Sequence, residues 1–193
     1  MVHERIPCFV RSYLFYGPQG SGKTLVVRAC VHETNSIFFD LSPTNIENKY
    51  NKENDKLVAS VMLVADEYQP SIIYIDECHK VFPGKKKKGK KKKGAKKKKK
   101  QDSSDPKRIK KAIKKWKDKF LNEKRRITII GCTSEPENGS MKDFKKMFDK
   151  AIYFPFPDYT TRRLMWKTFI ERCEGELRQD FPLSTLALIS AGY

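Results

Sequence analysis

An α/β fold, with a parallel sheet covered by helices on both faces, is predicted by three features of the chain. Apolar runs of strand length alternate with helical patterns along the 193 residues. The glycine-rich segment Gly17-Pro18-Gln19-Gly20-Ser21-Gly22-Lys23-Thr24 stands between an apolar run, Tyr13 to Tyr16, and a helical pattern that opens at Leu25. A third apolar run, from Ser71, ends in two acids, Asp76 and Glu77, 53 and 54 residues after Lys23. The length suits one α/β domain with a substantial core.

In chain order, the first strand is Tyr13 to Tyr16 and the first helix follows the glycine-rich loop. The second strand is Ile37 to Leu41. Leu57, Val61, Met62, Ala65 and Tyr68 then recur at helical spacing, and Pro70 ends that helix. The third strand is Ile72 to Asp76. Residues 84–105, lysine blocks between single glycines, have no periodicity and no apolar surface to bury, and like-charge repulsion keeps such a segment extended; they read as a disordered insertion. A further helix begins at Pro106, with Ile109, Ile113, Trp116 and Phe120 on one face and Lys107, Arg108, Lys110, Lys111, Lys114 and Lys115 on the others. The fourth strand is Ile127 to Cys132 and the fifth Ile152 to Phe154. A helix opens at Asp158, and the pattern from Phe181 to Tyr193 stops as if a helical subdomain were cut short.

The formal charge is +18, but thirteen lysines lie between Lys85 and Lys100, and removing them leaves +5 for everything else. No apolar stretch reaches the ~20 residues that span a bilayer, and the first residues lack a signal-peptide core, which reads as a soluble, intracellular chain without a membrane partner. Cys8, Cys30, Cys78, Cys132 and Cys173 form no Cys-x-x-Cys pair and read as reduced, mostly buried thiols. His3, His32 and His79 are equally scattered, so no metal is expected beyond Mg²⁺ carried by a nucleotide.

The loop carries the clearest chemistry. Its glycines let consecutive backbone N–H groups point at phosphate oxygens, and the helix that follows adds the positive end of its dipole. Lys23 then reaches the β- and γ-phosphates of a nucleoside triphosphate, and Thr24 offers its hydroxyl to Mg²⁺. Asp76 is placed to hold the water shell of the Mg²⁺, and Glu77 to polarise an attacking water. Thr133 and Ser134, at the end of the fourth strand, reach the γ-phosphate if that strand lies between the loop strand and the acidic strand; plain turn chemistry is the alternative for them.

The order of phosphate loop, Asp76-Glu77, polar-ended strand and Pro157-Asp158-x-x-x-Arg162 helix resembles the ATPase module of the AAA+ family over nearly the whole chain. Segments Tyr13 to Pro18, Phe39 to Pro43, Asp105 to Lys111 and Pro157 to Tyr159 are similar to the IQ-and-AAA-domain proteins, which include a subunit of the ciliary dynein regulatory complex. The resemblance implies a P-loop NTPase of AAA+ type with a five-stranded parallel sheet. It implies an α/β nucleotide-binding domain over 1–157, with the last core helix and the start of a truncated helical lid over 158–193. It implies ATP and Mg²⁺ as ligands, with Gly17, Pro18, Gln19, Gly20, Ser21, Gly22, Lys23, Thr24, Leu25 and Asp76 binding nucleotide and Thr24 and Asp76 serving the metal.

Glu77, Lys23 and Ser134, which stands where the family has a sensor Asn, are the implied catalytic set. Lys49 and Tyr50 fall at the family's pore loop, although Lys52 replaces its usual glycine. The arginine-finger region, roughly Arg-x-Gly-Arg-Phe-Asp in the family, here reads Phe144-Lys145-Lys146-Met147-Phe148-Asp149. Both finger arginines are missing, so the expected hydrolysis is slow, and an arginine restored at Met147 is expected to face a neighbouring subunit and speed it.

Three readings follow. The first is an ATPase turning over slowly in a ciliary or flagellar axoneme, part of the cytoplasmic cytoskeleton, within an AAA+ homo- or hetero-oligomer. The second is a nucleotide-binding scaffold without turnover. The third, suggested by Asp76-Glu77-Cys78-His79, is a fragment of a nucleic-acid helicase, against which stand the lack of room for a second RecA-like domain and of aromatics interleaved with the lysines. The lysine run is either a solvated linker or a polyanion-binding segment for acidic tubulin tails, RNA or DNA, and its composition also suits a nuclear-localisation signal.

Overall fold

The computed structural model describes residues 10–47, 53–84, 106–121, 125–175 and 181–191. The expected pore-loop residues Lys49 and Tyr50, Cys8, and the lysine run at 85–100 lie outside them. The chain divides into two compact units, Met1–Gly17 with Gly22–Phe154, and Pro18–Ser21 with Pro155–Tyr193.

The first unit is built on five parallel strands, β1 (Ser12–Tyr16), β2 (Ile37–Asp40), β3 (Ser71–Ile75), β4 (Ile127–Thr133) and β5 (Lys150–Tyr153), in the order β2-β3-β4-β1-β5. β4 therefore separates the loop strand from the acidic strand. Its register pairs Thr133 with Tyr16 on one side and Gly131 with Ile75 on the other. All five residues of β3, Ser-Ile-Ile-Tyr-Ile, are buried, as expected for a parallel strand covered on both faces.

The helices of this unit are α1 (Lys23–Glu33), α2 (Pro43–Ile46), α3 (Asn54–Glu67), α4 (Cys78–Val81), α5 (Lys110–Phe120) and α6 (Met141–Met147). Successive strand residues point to opposite faces, and two cores result. Ile73, Ile75, Ile127 and Ile129 pack with Val58 and Met62 of α3, Ile113 of α5, and Phe144 and Met147 of α6. Phe15, Ile72, Tyr74, Ile130 and Cys132 pack on the opposite side with Val27 of α1. Each fully buried Ile, Val or Met stabilises the fold by roughly 1.5–3 kcal/mol.

The expected helix at Pro106 starts as a 3₁₀ turn, Pro106–Ile109, before α5 proper. Ile109, Ile113 and Phe120 are buried, with Trp116 half-buried against them. In α3, Leu57, Met62 and Ala65 are buried as the spacing predicts, but Tyr68 caps the helix and is 53% exposed while Val58 is buried in its place. Cysteine burial is only partly as expected. Cys78 and Cys132 are buried, Cys30 is half-buried, and Cys173 is exposed because it follows the last turn of a surface helix.

α5 and α6 are joined by charge. Asp143 accepts hydrogen bonds from Lys110 and Lys114, both at 2.6 Å, and Lys117 reaches Asp149 at 2.9 Å. Burial would raise the Asp143 carboxyl, but the two ammonium groups and the Ser140 hydroxyl outweigh it and hold Asp143 well below the usual carboxylate range. A depressed folded-state value means stability that is present above the unfolded value near ~3.9 and lost as the pH falls below it. Asp143→Asn is accordingly expected to lower stability at pH 7 by about 1 kcal/mol, with the gap between the two proteins closing below about pH 4. Urea unfolding across pH 2 to 7 measures this, and a gap that is constant with pH overturns it.

The second unit contains α7 (Tyr159–Arg172) and α8 (Leu183–Ile189). Asp158 caps α7 by accepting from the Thr161 N–H at 2.9 Å. Arg162 ties the pair together, its Nε donating to the Ala187 carbonyl at 2.9 Å and its Nη1 to the Pro157 carbonyl at 2.7 Å, and Trp166 Nε1 donates to Ser190 Oγ at 3.2 Å. Among the described residues no helix is long and apolar enough to cross a membrane.

Candidate nucleotide site

The loop that leaves β1 needs its glycines for two separate reasons. Gly17 sits at φ +152°, and a Cβ there would come within 2.1 Å of the Phe154 carbonyl oxygen. Gly20 and Gly22 take φ of +82° and +87°, where L side chains are strained. Gly22 leads directly into α1, whose first turn holds no acidic residue, so the positive end of the helix dipole is left uncompensated by the helix itself. Gly17 N–H donates to the Thr133 carbonyl at 3.3 Å, which fixes the start of the loop to the end of β4.

Lys23 is buried, 8% exposed, and its Nζ donates to the Gly17 carbonyl at 2.9 Å. Thr24 Oγ1 lies 3.2 Å from the Tyr74 hydroxyl. Burial pushes the Tyr74 hydroxyl far up, so it remains a protonated neutral partner. Leu25 is 71% exposed, and α1 buries only Lys23 and Val27.

Asp76 and Glu77 follow β3 directly. Asp76 N–H donates to Ser42 Oγ at 2.9 Å, Ser42 Oγ in turn bonds Asp40, and Asp76 Oδ1 accepts from the Glu77 N–H at 2.8 Å. Glu77 has φ +43°, a left-handed conformation that costs an L residue on the order of 1 kcal/mol and that clusters at functional sites. Its carboxylate pairs with Lys80 at 2.5 Å.

At the end of β4 two residues meet whose partnership is not apparent in the linear sequence. His79 is buried in α4, and its Nδ1 is 2.9 Å from Thr133 Oγ1. Thr133 Oγ1 also accepts from the Glu135 N–H at 3.2 Å, and His79 Nε2 lies 3.8 Å from the Glu135 carboxylate. The acidic turn and the β4 end are thus joined side chain to side chain. Ser134, beside them, is half-buried.

The arginine-finger expectation is corrected. Met147 is 0% exposed and Phe144 3%, both in the main core, where the Phe82 ring lies 6.2 Å from that of Phe144 and 6.3 Å from that of Phe148. A side chain at 147 points into this core and not toward a neighbouring subunit. Lys145 and Lys146 are the exposed residues of that stretch.

The donor set fits a polyphosphate with a divalent cation. Three positive-φ glycines, an uncompensated helix N-terminus and a buried lysine suit phosphate oxygens, and a hydroxyl with a carboxylate supplies the oxygen ligands that Mg²⁺ takes.

Comparison with known proteins agrees. A sequence model of the ATPase family associated with various cellular activities (AAA) matches residues 13–156. Dynein regulatory complex protein 11 of Mus musculus is 33% identical over 199 residues, which is 100% of this chain and 22% of that protein. Spastin of Ixodes scapularis is 29% identical over 191 residues, 95% of this chain and 26% of its own length. The chain thus spans about a fifth to a quarter of these relatives. The crystal structure of the FIGL-1 AAA domain in complex with ADP superposes with a TM-score of 0.68 at 21% identity, over 95% of this chain and 56% of that one, a likeness of fold.

Proposed function

Since the chain belongs to the ATPase family associated with various cellular activities, we propose that it binds ATP with Mg²⁺ at the carboxyl ends of β1, β4 and β3 and hydrolyses it slowly. The observation that carries this reading is the strand order. It brings Gly17, Thr133-Ser134 and Asp76-Glu77 to three adjacent strand ends, the place where parallel α/β sheets bind ligands, with Lys23 and Thr24 opening the helix that follows the first of them. In this reading the backbone N–H groups of residues 17–24 and the Lys23 ammonium bind the phosphates, while Thr24 and Asp76 hold Mg²⁺. The cation supplies neutralisation of charge on the phosphate oxygens. Glu77 orients water and accepts its proton, and Ser134 donates a hydrogen bond from the β4 end.

Slow turnover follows from the core placement of Phe144 and Met147. A guanidinium acting from a neighbouring subunit contributes ~10³ to 10⁵ in rate, and this stretch offers only the exposed lysines 145 and 146, which lack the planar fork. The same observation favours, as second reading, a scaffold that binds ATP without turnover. The helicase reading gives way to the family match.

Similarity to dynein regulatory complex protein 11 supports a setting in a ciliary or flagellar axonemal assembly, in oligomers with like or unlike AAA chains. The proposed division is a nucleotide-binding domain over 1–157 and lid elements over 158–193, with Lys49 and Tyr50 as the pore-loop candidates and the 84–105 insertion either a solvated linker or a segment that binds axonemal proteins or acidic tubulin tails.

Lys23→Ala tests the site. Loss of one charge-assisted bond to phosphate is expected to weaken ATP·Mg²⁺ by about tenfold to a hundredfold in calorimetry. Equal affinities, or no binding by the parent in the full-length protein, overturn the proposal.

A further inference from the structure

We propose that the solvent face of α5 and α6 is a docking surface for an acidic polypeptide segment. α5 carries its lysines in two rows. Lys110, Lys114 and Lys117 form the inner row, each paired with Asp143 or Asp149. Lys111, Lys115 and Lys119 form the outer row, repeating every four residues, about 6 Å apart along the axis. All three are exposed, and among the described residues none has a carboxylate within ion-pair reach. α6 adds Lys142, Lys145 and Lys146, likewise exposed and unbridged among the described residues. Against these six ammonium groups α5 and α6 hold two acids, Asp118 and the already engaged Asp143.

The inner row shows what such lysines hold. The same helix binds carboxylates at 2.6 to 2.9 Å through side chains of the same type as those it turns to solvent. An extended acidic chain places side chains on one side every second residue, about 6.8 Å apart, close to the pitch of the outer row. Lys115 and Lys119 lie 5.9 and 4.9 Å from the centre of the Trp116 ring, which braces their stems and leaves that aromatic covered by the protein's own cations. Among the described residues α5 and α6 therefore offer no open ring on which bases stack and no arginine of their own to read base edges, which favours a polypeptide over a nucleic acid. Because the charges are exposed, the contact is fast and salt-sensitive.

The test uses the full chain and a fluorescein-labelled deca-glutamate peptide. Each exposed ion pair multiplies affinity by roughly two, so, with lysines 85–100 replaced by glutamine in both proteins so that they do not compete for the peptide, replacing lysines 111, 115, 119, 142, 145 and 146 by glutamine is expected to weaken binding on the order of 50-fold in anisotropy titrations. The six Lys→Arg replacements keep the charge and should keep the affinity, which separates lost charge from lost folding. Carbodiimide coupling to the unaltered chain followed by mass spectrometry should join the peptide to these six lysines. Binding unchanged in the glutamine variant, coupling confined to residues 85–100, or tighter binding of poly-uridylate of equal charge would each overturn the proposal, the last by making the face a nucleic-acid surface.

Discussion

Glu77→Gln is expected to leave ATP affinity within about twofold of the parent while lowering turnover by two to four orders of magnitude, the range that a positioned general base contributes. The amide keeps the shape of the side chain, and the left-handed backbone at 77 and its N–H bond to Asp76 are untouched by the change. Besides the exposed ion pair with Lys80, which contributes little, what is lost is the capacity to take a proton from water, a task that arises only during reaction. Phosphate release at saturating ATP, set beside calorimetric affinity, separates binding from chemistry. A glutamine variant that turns over at the parent rate removes Glu77 from its proposed role. A parent without turnover above background in its native oligomer leaves the scaffold reading in place.

Met147→Arg is expected to destabilise the first unit by about 4 kcal/mol or more, since it forces a charge into a close-packed core. Met147 is fully buried in the core cluster that holds Phe82, Phe144 and Phe148, a cluster made of apolar side chains. Met147→Leu, of similar volume, should stay within about 1.5 kcal/mol of the parent. Urea unfolding midpoints decide the matter. An arginine variant as stable as the parent would mean that position 147 faces outward and would restore it as a finger position.

Much of the fold was legible because its signals are local. The five strands were found within a residue or two, β3 most clearly, since burial on both faces makes Ser71–Ile75 a continuous apolar run. The loop was legible because positive φ at Gly20 and Gly22 and the close approach at Gly17 demand glycine whatever else surrounds them. Tyr68 was misjudged because the helical repeat was carried one residue past the end of α3, where the periodicity no longer applies.

The residues alone therefore determined the class of fold, the phosphate loop, the acidic strand end and the basic character of α5, each a property of residues within a few positions of one another. Only the tertiary structure decided which strand ends meet. β4, fourth in the chain, pairs between β1 and β3, and this brings His79 to Thr133 across 54 residues and ties Gly17 to the same β4 end. It also decided that Met147 points inward and that α5 splits its lysines into a row held by Asp143 and Asp149 and a row left to solvent. The reason is that propensity and periodicity act over a turn or two of backbone, whereas pairing and burial are set by the best packing of distant segments, which no short window contains.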